Sequence, residues 1–513
     1  MRLLSSRQAP EDGRRFYGET MTAAAEQAAK AVGKTGVNHA ERSGRLGLGM
    51  LAAYGAGSMV ADTTAFGLNT LLLFYLTIVC GLSGSAAGIA LGIALVVDAF
   101  IDPLVGSLSD NSRSRHGRRH PFMIVSIVPI VLAFALLFSI PVGLSGVGLF
   151  AYALTALLAV RIGLSAFTVP YIALGAELSD DYAERSTIVA ARVLFTVLAG
   201  AAATILAYGV FMRGAGGQTH RDAYPPFAWS CGALVFVGAA VSSFGTLGAR
   251  GRLHAAPPRQ GKAMGRFAAE IVEVFKNPSF RILFFACLIL FVALGAAGAL
   301  TLHAYTYFWK LLSPQILIIT LMGSLGVLVG VFVAGFMSRV LEKRTVALIG
   351  IGLIGLCQLL PALLKVAGLI PRGGEAPTLM TSSFVAGIGA SAALIGFQSM
   401  MADAADEHEI LFGARREGLY FAGISLSAKA SSGIGALIAG LVLDLIGFPH
   451  GLPAVGALLR VIPPTTVRNL GLVYGPGASV LTWVCVATLL RYRRGRDDHE
   501  RVRDTLARRR ERA

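Results

Sequence analysis

Twelve apolar runs, each long enough to cross a bilayer, divide this sequence. A membrane-spanning helix needs about 20 apolar residues, because the hydrocarbon core is about 30 Å thick. The charged residues make up 14% of the chain, whereas soluble domains carry about 25%. We therefore predict an all-α polytopic membrane protein, and the composition excludes a soluble enzyme, a disordered chain and a disulfide-rich secreted domain. The runs lie at about 47–79, 86–109, 121–141, 146–178, 188–212, 227–248, 280–310, 314–338, 345–368, 377–403, 417–447 and 472–490.

Lysine and arginine are distributed unevenly over the segments between the runs. When both termini are placed in the cytoplasm, the inner segments hold 35 of the 45 basic residues and the outer loops hold seven. This asymmetry is the positive-inside pattern of membrane proteins. The net charge of +16 therefore indicates membrane topology and not a nucleic-acid partner. We expect a multi-pass protein of a cell (inner) membrane, surrounded by the lipid bilayer, with both termini cytoplasmic.

The longest basic segment between two runs separates six runs from six. It extends from about Arg250 to Arg281 and contains three prolines. The outer segment 448–471 is also long, and it is interpreted either as a surface insertion or as an interfacial helix over the outer mouth. We predict five regions: a cytoplasmic N-terminal tail over 1–46, a six-helix bundle over 47–248, a cytoplasmic central loop over 249–279, a second six-helix bundle over 280–490 and a basic cytoplasmic C-terminal tail over 491–513.

Three aspartates lie inside the first two apolar runs, where each ionisable group costs at least about 2.5–3.5 kcal/mol on insertion scales. Asp62 is in the first run, and Asp98 and Asp102 are in the second. The spacing of four places the last two on one helical face. Two close carboxylates in a low dielectric repel each other. This arrangement favours a binding site for Na⁺ or H⁺, and a structural salt bridge is the alternative.

Three basic side chains, apart from those near the run ends that are counted with the loops, also lie inside the runs. Arg161 shares one helical face with Ser165 and Thr168, and Arg192 is in the next run. Either arginine is suited to pair with an aspartate or to hold a polar ligand by bidentate hydrogen bonds, and for Arg161 the two interpretations have equal weight. Lys429 lies deep in an Ala/Ser/Gly-rich stretch, which lets a ligand or a second helix approach closely. Snorkelling to the membrane surface is the alternative for this lysine.

No catalytic motif accompanies these charges. The five cysteines all lie within apolar runs and lack metal-ligand spacing. The tripeptide 33–35, Gly-Lys-Thr, lacks the first glycine that a phosphate loop needs. A receptor or scaffold is disfavoured, because it has no need of carboxylates inside the membrane. We therefore expect a transporter with no enzymatic activity and no cofactor other than a coupling cation.

The segment between the second and third runs combines glycine, aspartate and an arginine cluster. A glycine permits close helix contact, the aspartate is able to pair with a facing helix end, and the arginines anchor the segment to the inner surface. This pattern resembles the loop 2–3 signature of the major facilitator superfamily, in which such contacts favour the outward-facing state. The resemblance implies a gate that breaks and forms during alternating access. The candidate gating residues are Gly106, Asp110, Arg113, Gly117, Arg118 and Arg119.

Three stretches narrow the resemblance to one family. They are Asp98-Ala-Phe-Ile-Asp102-Pro, the stretch 169–186 that begins Val-Pro-Tyr-Ile-Ala-Leu-Gly-Ala-Glu, and the stretch from Asp403 to Lys429. Together they resemble the glycoside–pentoside–hexuronide:cation symporter family over most of the chain, from about residue 54 to 447. The resemblance implies a major facilitator fold, with twelve transmembrane helices in two six-helix bundles around a midplane cavity. It adds four gating candidates, Asp403, Asp406, Arg415 and Glu417.

The family resemblance also implies a cation site. In that family, carboxylates of helix 2 and a hydroxyl of helix 4 bind the coupling cation, and here these groups are Asp98, Asp102 and Ser165. Members that bind Na⁺ also place an amide just before the second carboxylate, where this chain has Ile101. An isoleucine side chain has no atom that binds Na⁺, and this favours H⁺ as the coupling cation. Na⁺ at the two aspartates is kept as the other possibility.

The resemblance implies a neighbouring substrate site. The family binds galactosides with a helix 1 aspartate and a helix 5 arginine, which match Asp62 and Arg192. A helix 11 lysine, matched by Lys429, links the sugar and cation sites, and Arg161 is the further candidate from its helix face. The helix 4 carboxylate and aromatic residue of the family are replaced by Thr168 and Ile172, which argues against a galactoside.

These observations predict a secondary active symporter that couples Na⁺ or H⁺ to the uptake of a glycoside, sugar or sugar acid. The substrate is a small molecule, and the protein is expected to be a monomer. The family also has relatives that carry lysophospholipids. A cavity made less polar by Ile101, Thr168 and Ile172 suits such a substrate, so a cation-coupled transporter of an amphipathic lipid is the alternative.

Overall fold

The computed structural model of this chain describes residues 46–114, 117–179, 181–214, 216–252, 272–413, 417–451 and 462–492, with a few positions of the C-terminal tail. Within these ranges the chain is helical and contains no strand. The predicted all-α polytopic class is thus confirmed. Twelve helices are long and apolar enough to cross a membrane: α1 (Leu48–Val79), α2 (Gly84–Asp110), α3 (His120–Leu137), α4 (Gly146–Glu177), α5 (Glu184–Phe211), α6 (Arg221–Ala249), α7 (Pro278–Phe308), α8 (Ser313–Val340), α9 (Lys343–Val366), α10 (Glu375–Phe412), α11 (Gly418–Leu445) and α12 (Pro464–Leu489).

Parts of the predicted regions lie outside the described residues. They are residues 1–45 of the N-terminal tail, 253–271 of the central loop, 452–461 of the long outer segment and most of the C-terminal tail. The five-region division therefore stays a prediction. The described part of the central loop includes a short helical stretch at 272–276, just before α7.

The tenth helix is longer than its apolar run. It extends to Phe412 and has 38 residues, which corresponds to about 57 Å of helix. This length exceeds the hydrocarbon core of about 30 Å, so α10 continues beyond the membrane. Asp406 and His408 lie on this extension, where the sequence predicts a loop after residue 403. The loop prediction is wrong there, because hydropathy detects the apolar part of a helix and not its polar end.

The twelfth helix starts earlier than its apolar run. It begins at Pro464, within the predicted outer segment 448–471. Proline is favourable in the first helical turn, because the N–H that it lacks has no helical partner there. The polar first turns, which include Thr466, Arg468 and Asn469, conceal this part of the helix from a hydropathy count. Residues 464–471 therefore belong to α12, which starts eight residues before its predicted apolar run.

Side chains from both halves cap the start of α2. The Ser83 hydroxyl accepts a hydrogen bond from the backbone N–H of Ala86 at 3.3 Å. The Asp444 carboxylate of α11 accepts from the backbone N–H groups of Gly84 at 2.9 Å and Ser85 at 2.8 Å. A carboxylate at a helix N-terminus is favourable, because the free N–H groups and the helix dipole present positive charge. This contact fixes α2 against α11.

Glycines bring α2 and α11 into backbone contact next to this cap. A Cβ atom at Gly84 would overlap the carbonyl oxygen of Gly440, and a Cβ atom at Gly440 would overlap that of Gly84. Only glycine fits at both positions without displacing a helix. Small residues are the usual device for close packing of membrane helices, because lipid offers no hydrophobic drive for their association.

One apolar cluster joins the two halves at the end of the molecule where α1 meets α2. Its aromatic members include Phe74, Tyr75, Phe138, Tyr224, Phe227, Tyr307, Trp309 and Phe448. Polar contacts reinforce the closure: the Thr77 hydroxyl and His303 Nε2 are 2.9 Å apart, and Gln218 Nε2 donates to the Thr306 hydroxyl at 3.1 Å. The aromatic residues that follow Thr301 in α7 therefore pack at the interface between the halves.

At the opposite end, the clusters are separate. The first half has a cluster that includes Tyr54 and Tyr171, and the second half has one that includes Phe280 and Tyr420. Among the described residues, the two clusters share no member. The molecule is thus closed at the α1–α2 end, and its halves do not share a core at the end that carries the α2–α3 loop.

Candidate functional site

A cavity of about 410 Å³ lies between the first half and α11. It is lined by residues of α1, α2, α4 and α5 and by Ala428 and Lys429 of α11. Seven of the eight residues predicted for cation or substrate line this cavity: Asp62, Asp98, Arg161, Ser165, Thr168, Arg192 and Lys429. The eighth, Asp102, contacts Lys429. The structure therefore brings the predicted side chains together in one space.

The most buried ion pair of the cavity joins α2 to α4. Arg161 Nη1 donates to Asp98 Oδ2 at 3.1 Å, and the two side chains are only 11% and 7% exposed. A buried pair of this kind is costly to break, because the remaining charge is left without compensation. The ion pair that is one of the two interpretations of Arg161 is therefore present, and the arginine nevertheless lines the cavity.

A second ion pair crosses between the halves. Lys429 Nζ of α11 contacts Asp102 Oδ2 of α2, and the lysine side chain is 47% exposed. The lysine thus lines the cavity and pairs with a carboxylate of the other half. Asp98 and Asp102 each keep one buried carboxylate oxygen, Oδ1, with no hydrogen-bond partner among the described residues. These two oxygens are acceptors next to the cavity.

The opposite wall holds Asp62 and Arg192. The Thr196 hydroxyl donates to Asp62 Oδ2 at 2.7 Å, which fixes the carboxylate. The Arg192 guanidinium lies over the Tyr171 ring, 5.8 Å from its centroid. Its Nε is buried and has no hydrogen-bond partner within the part of the chain that the structure describes. This wall thus offers both an acceptor and a donor to a ligand.

Two stacked tyrosines help to position Arg192. The rings of Tyr54 and Tyr171 are stacked, with centroids 4.7 Å apart. The Tyr171 hydroxyl donates to the backbone carbonyl of Tyr54 at 3.0 Å. Stacked rings present a negative face to a guanidinium, so the pair holds Arg192 in place. Ser165 is 5% exposed on the neighbouring face of α4.

Two residues of this wall, Thr196 and Tyr171, are not predicted from the sequence. Thr196 lies four residues after Arg192, and Tyr171 lies three residues after Thr168. Each spacing places a residue on the face of its already identified neighbour, so the helical period carries the signal that would find both. Thr168 itself donates its hydroxyl to the backbone carbonyl of Leu164 at 2.8 Å, which leaves the threonine oxygen as an acceptor only.

The predicted gating residues of the α2–α3 loop form a cluster with the end of α4. Arg118 and Arg119 both contact Glu177 Oε1, and Arg119 Nη2 lies 3.4 Å from Asp110 Oδ1. Gly117 adopts a φ of 90°, a left-handed conformation that favours glycine. These contacts all lie within the first half. The sequence motif includes Glu177, but its role is not evident without the fold.

Of the two further gating candidates, Gly106 lies within α2 and Arg113 lies in the α2–α3 loop. A Cβ atom at Gly106 would stand 3.6 Å from Val169 Cγ1, an ordinary van der Waals distance, so close packing does not require glycine in this conformation. Arg113 is exposed. Within the described ranges, neither residue pairs with the second half in this conformation.

The second half carries a matching arrangement on α10. Lys343 Nζ, at the start of α9, donates to both carboxylate oxygens of Asp403, at 2.7 and 2.8 Å. Asp406 is half-buried on the same helix. Arg415 lies outside the described residues, as does the side chain of Glu417. The ion pair of Asp403 thus joins two helices of one half, as Glu177 does in the other half.

Two bundles of membrane helices around a charged cavity define a major facilitator transporter. The chain belongs to the family described as MFS/sugar transport protein, whose family model matches residues 53–495. This match confirms the resemblance noted from the sequence motifs. Members of this family are transporters, so the chain is a membrane transporter and not an enzyme.

Curated relatives cover most of the chain. An uncharacterized symporter of Synechocystis sp. is 23% identical over 477 residues, which span 78% of this chain and 86% of the relative. The isoprimeverose transporter of Lactiplantibacillus pentosus is 23% identical over 386 residues, which span 74% of this chain and 77% of the relative. The chain is thus similar to a bacterial symporter and a bacterial sugar transporter over more than three quarters of their length.

Solved structures confirm the fold. A crystal structure of a bacterial homolog of the human lysosomal transporter Spinster, in an inward-facing and unoccupied conformation, superposes with a TM-score of 0.59 at 12% identity. The match covers 87% of this chain and 97% of that chain. At this identity the likeness concerns architecture alone, and it confirms twelve helices in two six-helix bundles.

Proposed function

We propose that this protein is a secondary active symporter that couples Na⁺ or H⁺ to the uptake of a glycoside, sugar or sugar acid. One observation carries the proposal: three cationic and two anionic side chains line a cavity of about 410 Å³ between the two halves. Charges at this depth are expensive and mark ion or substrate pathways. The symporter and isoprimeverose transporter among the relatives support the same activity.

In this proposal, Asp98, Asp102 and Ser165 form the cation site. The two buried Oδ1 atoms that lack partners among the described residues are hard oxygen ligands for Na⁺ or acceptors for a proton. The other carboxylate oxygens contact Arg161 and Lys429, so the resting cluster balances two acids with two bases. A bound cation adds a charge to this balance, and we expect the partly exposed lysine to leave Asp102 when the cation binds.

The substrate site is assigned to the facing wall. Asp62 accepts hydrogen bonds and Arg192 donates them, which suits neighbouring hydroxyls of a sugar or the carboxylate of a sugar acid. Thr168 adds an acceptor, and Arg161 and Lys429 are placed between this wall and the cation site. Cation and substrate then share one cavity, and each changes the affinity for the other by the same factor.

The distribution of basic residues supports a cytoplasmic location for the α2–α3 loop and both termini. In that orientation the closed α1–α2 end faces outwards, and the conformation is inward-facing. The clusters around Glu177 and Asp403 then lie at the cytoplasmic ends of the two halves. We propose that these two clusters keep each half rigid while the two halves of one monomer rock against each other.

The alternative substrate is an amphipathic lipid such as a lysophospholipid. The observation that favours it is the apolar part of the cavity wall, which includes Leu68, Leu164 and Ile172. Ile172 lines this space and is 53% exposed. An acyl chain would lie against these side chains, and the polar head group would reach the arginines.

A thermal-shift panel with the purified protein tests the two candidates. A ligand that binds the folded state raises the melting temperature, and the rise grows with the ratio of the ligand concentration to its Kd. Isoprimeverose and other sugars are compared with lysophosphatidylcholine, each with and without Na⁺ and at two pH values. A cation-dependent rise in melting temperature with a sugar, which is lost in Asp62→Asn, supports the sugar symporter. A rise with the lysophospholipid and with none of the sugars favours the alternative substrate. Absence of any shift that depends on the cation contradicts both.

A further inference from the structure

We propose that the second half contains a separate binding site for an uncharged amphipathic molecule that enters from the bilayer. A cavity of about 410 Å³ lies among α7, α8, α9, α10 and α12. None of its described lining residues belongs to the charged cavity between the halves. The volume lies within the range of about 300–1,000 Å³ that small-molecule sites occupy. The inference does not depend on the proposed transport activity.

An unused hydrogen-bond donor faces this second cavity. Trp309 lines it, is 2% exposed, and has a buried Nε1–H with no hydrogen-bond partner among the described residues. A buried donor without an acceptor is destabilising, and in a membrane protein water is not always at hand to satisfy it. A ligand oxygen in the cavity would supply the missing acceptor.

A second polar group on the cavity wall is oriented by the protein. Gln358 Oε1 accepts a hydrogen bond from the Thr482 hydroxyl at 2.9 Å. This contact fixes the amide so that its NH₂ group is left for other acceptors, and no protein acceptor for it occurs in the described part of the chain. Trp309 and Gln358 thus offer two donors to one occupant.

The rest of the wall determines the class of ligand. Aromatic rings of Tyr305 and Tyr474 meet edge to face, with centroids 6.1 Å apart, and apolar residues such as Leu294 and Val327 complete the wall. Among the residues that the structure describes, no charged one lines the cavity. An ionised ligand would lose its hydration without gaining a counter-ion, so the site suits an apolar chain with hydroxyl or ester oxygens.

A lipid-facing groove gives this cavity a route to the bilayer. The groove lies between α9 and α10 and has a volume of about 600 Å³. On its α9 side, Leu356 and Leu360 are exposed at a spacing of four, which places them on one outward face of the helix. An acyl chain from the bilayer is the occupant that such a face accepts.

A thin wall of shared residues separates the groove from the cavity. Cys357, Pro361 and Ser382 line both spaces. The Ser382 hydroxyl of α10 donates to the backbone carbonyl of Cys357 of α9 at 2.9 Å. Pro361, inside α9, removes one backbone hydrogen bond of that helix and weakens it locally. Rupture of the Ser382 contact would open the cavity to the lipid.

Fluorescence of Trp309 tests the site directly. The chain has three tryptophans, so two substitutions leave the signal of Trp309 alone. The full-length protein is reconstituted in nanodiscs with Trp229→Phe and Trp483→Phe, which leaves Trp309 alone. The probe is a monoacylglycerol with a dibrominated acyl chain, since bromine quenches indole only at short range. We expect saturable quenching that unbrominated monooleoylglycerol reverses. In Ala386→Phe, which fills the cavity from α10, the apparent affinity is expected to fall by about tenfold, the equivalent of about 1.4 kcal/mol.

A matched control retains Trp483 instead, with Trp229→Phe and Trp309→Phe. Trp483 is 38% exposed on α12, so its quenching should rise linearly with the probe fraction and without saturation. Linear quenching at Trp309 as well, or saturable quenching unchanged by Ala386→Phe, would overturn the proposal. Equal displacement by lysophosphatidylcholine would overturn the uncharged class of ligand. If Ala386→Phe fails to fold, Ser383→Leu supplies the filled cavity.

Discussion

Lys429 of α11 contacts the Asp102 carboxylate of α2, and this ion pair joins the two halves beside the central cavity. One helical turn away, Asp98 pairs with Arg161 inside the first half. The two aspartates of one helical face therefore have different partners. The arginine side chain is 11% exposed, and the lysine side chain is 47% exposed. This difference makes the lysine pair the one that is able to open when the halves move.

Replacement of this lysine should separate cation binding from substrate binding. In Lys429→Gln, the internal competitor for Asp102 is gone, so the apparent affinity for the coupling cation should rise. The substrate should then no longer change the cation affinity, because the residue that links the two sites is lost. Isothermal titration of cation with and without substrate measures both effects. Lys276→Gln, an exposed lysine outside the membrane helices, is the control, and coupling equal to wild type in Lys429→Gln would refute this role.

Loss of the buried arginine should destabilise the protein strongly. Arg161→Met leaves the Asp98 carboxylate buried without its partner, which costs about 3–5 kcal/mol. The double variant Arg161→Met/Asp98→Asn removes both charges and should recover most of this stability. Denaturant unfolding in detergent gives the free energy of unfolding. Arg192→Met is the comparison, since Arg192 has no ion pair among the described residues, and an equal loss in both single variants would contradict the prediction.

The hydroxyl of Thr196 should matter for substrate and not for the cation. Thr196→Val removes the 2.7 Å hydrogen bond to Asp62, which frees the carboxylate to turn. One such bond is worth about 0.5–1.5 kcal/mol, so substrate binding should weaken about twofold to tenfold. Thr204→Val on the same helix is the control, because Thr204 donates to the backbone carbonyl of Gly200 and not to a cavity side chain. A change in cation affinity without a change in substrate affinity would argue against the assignment of this wall.

The glycine contact between α2 and α11 should control the closure of the α1–α2 end. Gly440→Ala introduces a Cβ atom that overlaps the backbone of Gly84, so the closed state is destabilised. With the other four cysteines replaced, Cys80 near this end should react several-fold faster with an impermeant maleimide. Gly200→Ala is the control, since nothing among the described residues lies within 4 Å of a Cβ atom there. An unchanged labelling rate in Gly440→Ala would show that this contact does not hold the end closed.

The sequence predicts the helices and most of the cavity for the same physical reason. A charge in an apolar run is expensive, so residues such as Asp98, Arg161 and Lys429 stand out from the sequence alone. The partners of these charges are not predictable, because Lys429 and Asp102 are brought together by helix packing over a long stretch of chain. Thr196 escapes attention since a hydroxyl in a membrane helix costs little. The polar start of α12 and the polar end of α10 are not predicted, because hydropathy indicates which residues contact lipid and not which residues are helical.

Uphill accumulation in proteoliposomes tests the central claim, that the α2 aspartates couple the cation to transport. A sugar that binds the wild-type protein is supplied as a radiolabelled probe, and a Na⁺ or pH gradient is imposed. The wild type and Asp222→Asn, an exposed aspartate at the start of α6, should concentrate the sugar. Asp98→Asn should still exchange sugar across the membrane without concentrating it. Full, cation-dependent accumulation by Asp98→Asn would contradict the account.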